Sequence, residues 1–163
     1  MARCTIKAGD DYALHLSKLL TGYEETAKKA IYAGAEIVAD AIKENLDALP
    51  DEEFRRLKDG EKFDGVPPIQ KKDLVESFGI TPIERDKAGD WNAKVGFDGY
   101  GSTPTKAYPK GVPNQLIARA IESGSSVRQK HPFVAPAVRA TRKAAQQAMG
   151  KVIDEEFERQ MRR

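Results

Sequence analysis

An enzyme needs a nucleophile, a general base or a metal, and the residues able to supply one are sparse in this chain. The two histidines, His15 and His131, stand far apart. His15 lies in a leucine-rich stretch and reads as a surface or boundary residue. His131 precedes Pro132, and no histidine or carboxylate stands beside it at metal-ligand spacing. Cys4 is the only cysteine, with no local histidine to activate it; it excludes an intrachain disulfide and fits a reducing compartment. Carboxylates cluster at Asp10-Asp11, Asp51-Glu52-Glu53 and Asp154-Glu155-Glu156. The first two are explained as charge at helix starts. The third belongs to the polar face of a helix, where Glu155 and Arg159 stand one turn apart in the favourable order. Neither a phosphate-cradling glycine loop with its lysine nor a dinucleotide fingerprint occurs. The residues therefore suggest no catalytic group, metal site or cofactor; the enzymatic alternative is an acid/base pair formed across the helices.

Charge distribution says more. The formal net charge is only +2, yet residues 123–153 carry Arg128, Lys130, Arg139, Arg142, Lys143 and Lys151 and no acid. On one reading, Arg139, Arg142 and Lys143 lie opposite an apolar stripe and are a solvated helix face. On the other, positive charge near a helix N-terminus is unfavourable, and an acidic partner or DNA phosphate relieves it.

At 163 residues, with 40% hydrophobic and 32% charged residues, the chain suits one domain able to bury a core without disulfides or metals. Glu36, Asp40, Lys43 and Glu44 interrupt the most apolar stretch, so no membrane span is expected, and Met1–Ile6 lacks the apolar run of a secretory signal.

The elements that must position these residues follow from periodicity. Within an N-terminal segment, residues 1–22, Tyr12–Leu20 is a first helical candidate. A long helix is predicted over 23–49, stopped by Pro50, with apolar residues recurring at three and four from Ala27 to Leu49. Gly34 in its interior costs about 1 kcal/mol relative to alanine, which suggests the close approach of another backbone. Residues 50–72 are loop, apart from a short helix expected over Pro50–Gly60, with acids in its first turn and bases in its last. In the β region, 73–98, a helical turn at Lys72–Phe78 leads into strands Ile80–Arg85 and Trp91–Phe97, joined at Lys87–Asp90. Pro82 would place the first strand at an edge or have it begin beside the proline. Residues 99–113 form a second loop, rich in glycine and proline and open to mobility. A short helix at 114–123 ends at Gly124, where a left-handed conformation is expected. The last long helix spans 134–161, and its alanine-rich section, 144–148, should face the Ala30–Ala41 section of the first. Two long amphipathic helices on a small antiparallel β-sheet, with short helices and long loops, make an α+β domain.

The order of certain motifs adds a resemblance. Glu122-Ser123-Gly124-Ser125-Ser126 forms a turn that leads to His131-Pro132-Phe133-Val134-Ala135-Pro136 and into the alanine-rich helix. Upstream stand a helix with small residues, Thr26–Ala41, and Asp73-Leu74-Val75-Glu76-Ser77-Phe78 before the first strand. Over residues 23–160 this succession resembles the tail-completion, or head–tail joining, proteins of long-tailed, siphovirus-type bacteriophages, the small neck proteins of the lambdoid kind. The chain departs from that pattern at three points, and at one of them the turn that is commonly glycine-threonine-serine reads Gly124-Ser125-Ser126. Asp73 replaces a glycine, and there is an extra loop between Asp98 and Pro113.

The resemblance implies a non-catalytic virion protein at the tail's head-facing end, made in the bacterial cytoplasm and carried in the neck. Its partners would be further copies of itself around the tail axis (six would suit that position), tail terminator or tail tube proteins, and head-side connector proteins. Contact with the exiting genome is a further expectation, and a membrane is not. The loops at 50–70 and 98–113 would reach neighbouring subunits. Ser77, Glu122, Ser123, Gly124, Ser125, Ser126 and Phe133 are candidate interface or motif residues. Arg128, Lys130, Arg139, Arg142 and Lys143 are candidate contacts to an acidic partner or DNA. Phe133, like Leu74 and Phe78, also reads simply as core, Ser77 as a turn cap, and Gly124 as a helix terminator. The alternatives are a tail terminator or head-side adaptor ring, and a small DNA-binding protein using the basic face of the last helix.

Overall fold

A computed structural model describes residues 22–162; Cys4, the Asp10-Asp11 pair, His15 and the Tyr12–Leu20 helix candidate lie outside that range. Four helices and four short strands follow in the order α1 (Tyr23–Asp47), α2 (Pro68–Ser77), β1 (Phe78–Ile80), β2 (Glu84–Arg85), β3 (Trp91–Asn92), β4 (Val95–Phe97), α3 (Asn114–Ser123) and α4 (Val134–Met161). The domain is α+β, as its periodicity predicts.

The two long helices run antiparallel. Lys29 near the start of α1 pairs with Glu156 near the end of α4, and Asn45 near the end of α1 donates to the Phe133 carbonyl at the start of α4. Midway, a Cβ added at Gly34 would lie 2.7 Å from Met149 Cγ and 3.4 Å from the Ala145 carbonyl oxygen. The glycine and the alanine-rich section therefore allow the close crossing, as the sequence suggests. Bulkier core residues gather at one end of this helix pair. Ile42 and Leu46 of α1, Val66, Leu74 of α2, Ile117, Ala118 and Ile121 of α3, Phe133 and Ala137 make one buried cluster.

The strands form one interrupted hairpin. Phe78, Gly79 and Ile80 pair with Phe97, Gly96 and Val95, and Glu84 and Arg85 pair with Asn92 and Trp91. Between the two ladders Thr81 still bonds Lys94 through its main chain and its hydroxyl. Pro82 falls in the break, where its missing N–H costs no ladder bond. The Asp86 carboxylate accepts from the amides of Ala88 and Asp90 and closes the turn.

Three local expectations are corrected. No helix forms over Pro50–Gly60. Asp51 instead bridges Val66, and the Glu52 carboxylate accepts the amides of Asp64 and Gly65, so the segment is held extended by long-range bonds that a marginal one-turn helix cannot outcompete. The helical turn expected at Lys72–Phe78 is a ten-residue helix beginning at Pro68; proline at the first helical position sacrifices only an amide that lacks a partner anyway. The loop 99–113 is tied down. Gly101 bonds Val112, Tyr100 bridges Pro113, Asn114 Nδ2 donates to the Asp98 carbonyl, and the buried Asp73 carboxylate accepts from the amide and hydroxyl of Ser102.

Candidate functional site

The turn between α3 and α4 is built around one carboxylate. Glu122 sits in the last turn of α3, and its oxygens accept the amides of Phe133 at 2.7 Å, Val134 at 2.9 Å and Ala135 at 3.0 Å. Phe133, at the N-cap position, offers no side-chain cap of its own, so Glu122 does that work from eleven residues upstream. Burial pushes the Glu122 carboxyl upward, but the amides of Val134, Ala135 and Phe133, with the Lys130 charge, outweigh it and hold the group below its ordinary range.

Phe133 is 1% exposed, 6.0 Å from the Phe97 ring, and belongs to the core. Gly124 has φ +75° with ψ 169°, a conformation essentially restricted to glycine though not the left-handed helical one expected. A Cβ there would press on Lys130 at 3.3 Å. Ser125 closes the turn, its amide bonding the Arg128 carbonyl and its hydroxyl accepting from Val127. Ser123 and Ser126 are exposed, and Ser77 bonds the Leu74 carbonyl within its own helix. Of the candidate interface residues, then, Glu122, Gly124, Ser125 and Phe133 build the turn, while Ser123 and Ser126 remain on its surface.

The basic set divides as well. Arg128 is not available to an outside partner: it is 8% exposed and donates to the Gly65 carbonyl at 2.7 Å and Gln70 Oε1 at 2.9 Å, with its guanidinium over the Phe63 ring. Burial depresses its pKa, opposed by the Glu52 charge. This arginine pins the 50–66 segment to the turn, a role invisible in sequence because its partners lie some sixty residues away. Lys130, Arg139, Arg142 and Lys143 are exposed, and none forms an ion pair among the described residues. The unfavourable charge at the N-terminus of α4 is already answered by Glu122, which removes one reason to invoke an external anion. His131 gains a neighbour absent from its sequence surroundings, with Nε2 3.1 Å from Asp64 Oδ1. Among the described residues no three His, Cys, Asp or Glu side chains converge on a point suited to a metal ion.

Beside the turn lies an open groove of about 1120 Å³ between the β1–β4 ribbon and the facing sides of α3 and α4. Ile80, Val95, Phe97, Ala118, Val134 and Val138 make its apolar lining, and Lys94, Arg119 and Arg139 its cationic rim. The two acids at its edge are already engaged: Glu122 caps α4, and Asp98 accepts the Gly99 amide. Gly79 and Gly96 stand opposite each other on the ribbon and both line the groove, where an added Cβ at either would meet nothing within 4 Å. Of the sequence candidates, the groove gathers Ser77, Glu122 and Arg139 and leaves the others outside. Periodicity does not reveal it, because its two walls are fifteen or more residues apart in sequence; the paired glycines within strands are the one local signal. No helix is long and apolar enough to cross a membrane among the described residues. No protein-family model, curated protein or solved structure matches this chain, and what bears on its role is the groove, the turn and the order of its motifs.

Proposed function

We infer that this chain is a non-catalytic virion protein that completes a phage tail and joins it to the head, acting in several copies around the tail axis. The observation that carries the reading is the joined unit of turn and groove. A turn built on the Glu122 carboxylate and the buried Phe133 joins two helices, and beside it a large apolar surface with a cationic rim has no partner among the described residues. Such a surface suits docking between proteins, in which buried area rather than chemistry holds the partners.

Two of the departures from the neck-protein pattern are in contact with each other. Asp73, standing where that pattern has glycine, is the residue whose carboxylate fastens Ser102 of the extra loop. Leu74 beside it is fully buried.

Inactivating the gene in the parent phage tests the reading. Electron microscopy should show DNA-filled heads and separate tails, and supplying the protein should restore joined particles. Intact, infectious particles without the protein would remove the joining role. The exposed Arg139, Arg142 and Lys143 face favours DNA contact as a second reading, under which duplex binding should weaken steeply as salt rises.

A further inference from the structure

We propose that the groove between the β1–β4 ribbon and α3/α4 receives the C-terminal turns of α4 from a second copy of this chain, so that copies join head to tail. This rests on the multi-copy reading given above and names the two surfaces that would meet.

The receiving surface shows a need for close approach from outside. Glycine weakens a strand because it packs nothing and loses more entropy on ordering. Gly79 and Gly96 nevertheless sit directly opposite each other, neither with positive φ, and neither is crowded by any atom of the described residues. Their bare backbone leaves room for a large side chain from a partner. Val138, 43% exposed, continues the apolar surface along α4.

The complementary surface lies at the other end of α4. Phe157 and Met161, one turn apart, are 41% and 51% exposed, and the exposed Asp154 and Glu158 flank them on the same side of the helix, Glu158 in a solvent-exposed pair with Arg162 at 3.3 Å. An apolar pair bordered by acids matches an apolar trough bordered by Lys94, Arg119 and Arg139. The two surfaces cannot meet within one molecule, because Val138 and Phe157 lie about 30 Å apart on the same helix at 1.5 Å per residue. The contact is therefore between copies and joins unlike patches, a geometry that closes into a ring when the rotation per step allows.

Sedimentation velocity of the full chain over a concentration series tests this. Association should grow with concentration and weaken as salt rises. Gly96→Trp fills the groove and Phe157→Asp blunts the inserting end; each alone should be monomeric where the parent chain associates, and their equal mixture should form a two-chain complex and nothing larger. Should Gly96→Trp fail to fold, exposed charges provide the same test. Arg119→Glu with Arg139→Glu, and separately Asp154→Lys with Glu158→Lys, should each weaken association at least tenfold, and mixing the two variants should restore it. A parent chain that stays monomeric at several hundred micromolar overturns the inference, as does association that ignores both charge pairs or a mixture that fails to recover. Those failures leave the head–tail role to the particle experiment. Self-association through these surfaces in a chain dispensable for joining would keep the contact and discard the role.

Discussion

The two ends of α4 carry similar residues and are treated in opposite ways. At the start, an aromatic, Phe133, is buried, and an acid, Glu122, spends its oxygens on three amides. At the finish, an aromatic, Phe157, is two-fifths exposed, and the acids Asp154 and Glu158 are exposed, Glu158 paired only with Arg162 of its own helix. The difference lies in what faces each end. The start meets α3, Phe97 and the end of α1, while over its last turns α4 has α1 along one side and, among the described residues, no element along the other. A closed end holds the fold, and an open end offers a surface. Stability and association should therefore respond to different residues.

The largest effect should come from the closed end. Phe133→Ala should cost about 3–5 kcal/mol in denaturant unfolding, since it empties a fully buried site. Arg128→Ala should follow at about 2–3 kcal/mol by leaving the Gly65 carbonyl and Gln70 without their donor. Lysine at that position should recover only part of the loss, because it lacks the guanidinium fork. A loss below 1 kcal/mol for either alanine variant would break the contrast.

Glu122→Gln should cost about 1–2 kcal/mol near neutral pH by weakening charge-assisted bonds at a helix start. The carboxyl is held below its ordinary value of 4.5 in the folded chain. Its contribution is therefore complete above that value and is lost as pH falls through the lowered folded-state value. Unfolding curves of parent and variant should converge on acidification; Glu52, Glu61 and Glu156, whose carboxyls are also lowered, are common to both chains and cancel. A gap that stays constant with pH would assign Glu122 a packing role instead.

Two smaller effects sharpen the comparison from the open side. Gly150→Ala should raise stability by about 1 kcal/mol, because this helical glycine has no atom within 4 Å of an added Cβ and the propensity gain is unopposed. Gly34→Ala should fall short of that gain, as Met149 must move first. Smallest of all, Phe157→Ser should change unfolding of the isolated chain by no more than about 0.5 kcal/mol. A large loss there would show that Phe157 serves the monomer.

Much of this was legible in sequence where a residue's role depends on near neighbours. The period of apolar residues marked α1, α3 and α4 to within two residues, and Gly34 announced the close crossing. The turn at Asp86–Asp90 follows from local backbone chemistry, whereas the strand expected over Ile80–Arg85 is two strands, Phe78–Ile80 and Glu84–Arg85, broken around Pro82. Legibility ended where partners are remote. Acids and bases placed like helix-end charges suggested a helix over Pro50–Gly60, but Glu52 is used twelve and thirteen residues away. Arg128 read as a candidate contact to an acidic partner or DNA, but its contacts to Gly65 and Gln70 bury it. Val138, Phe157 and Met161 of the last helix remain exposed because, among the described residues, α1 spans only one of its sides.

By itself the sequence determined the α+β class, the long helices and the scarcity of catalytic residue types, because residue type and spacing govern local conformation and which helix face is apolar. Only the tertiary structure decided which charges are structural, where the groove opens and which apolar side chains stay unpartnered. Those outcomes depend on how elements far apart in the chain cross, and a helix carries no record of how far its neighbour extends along it.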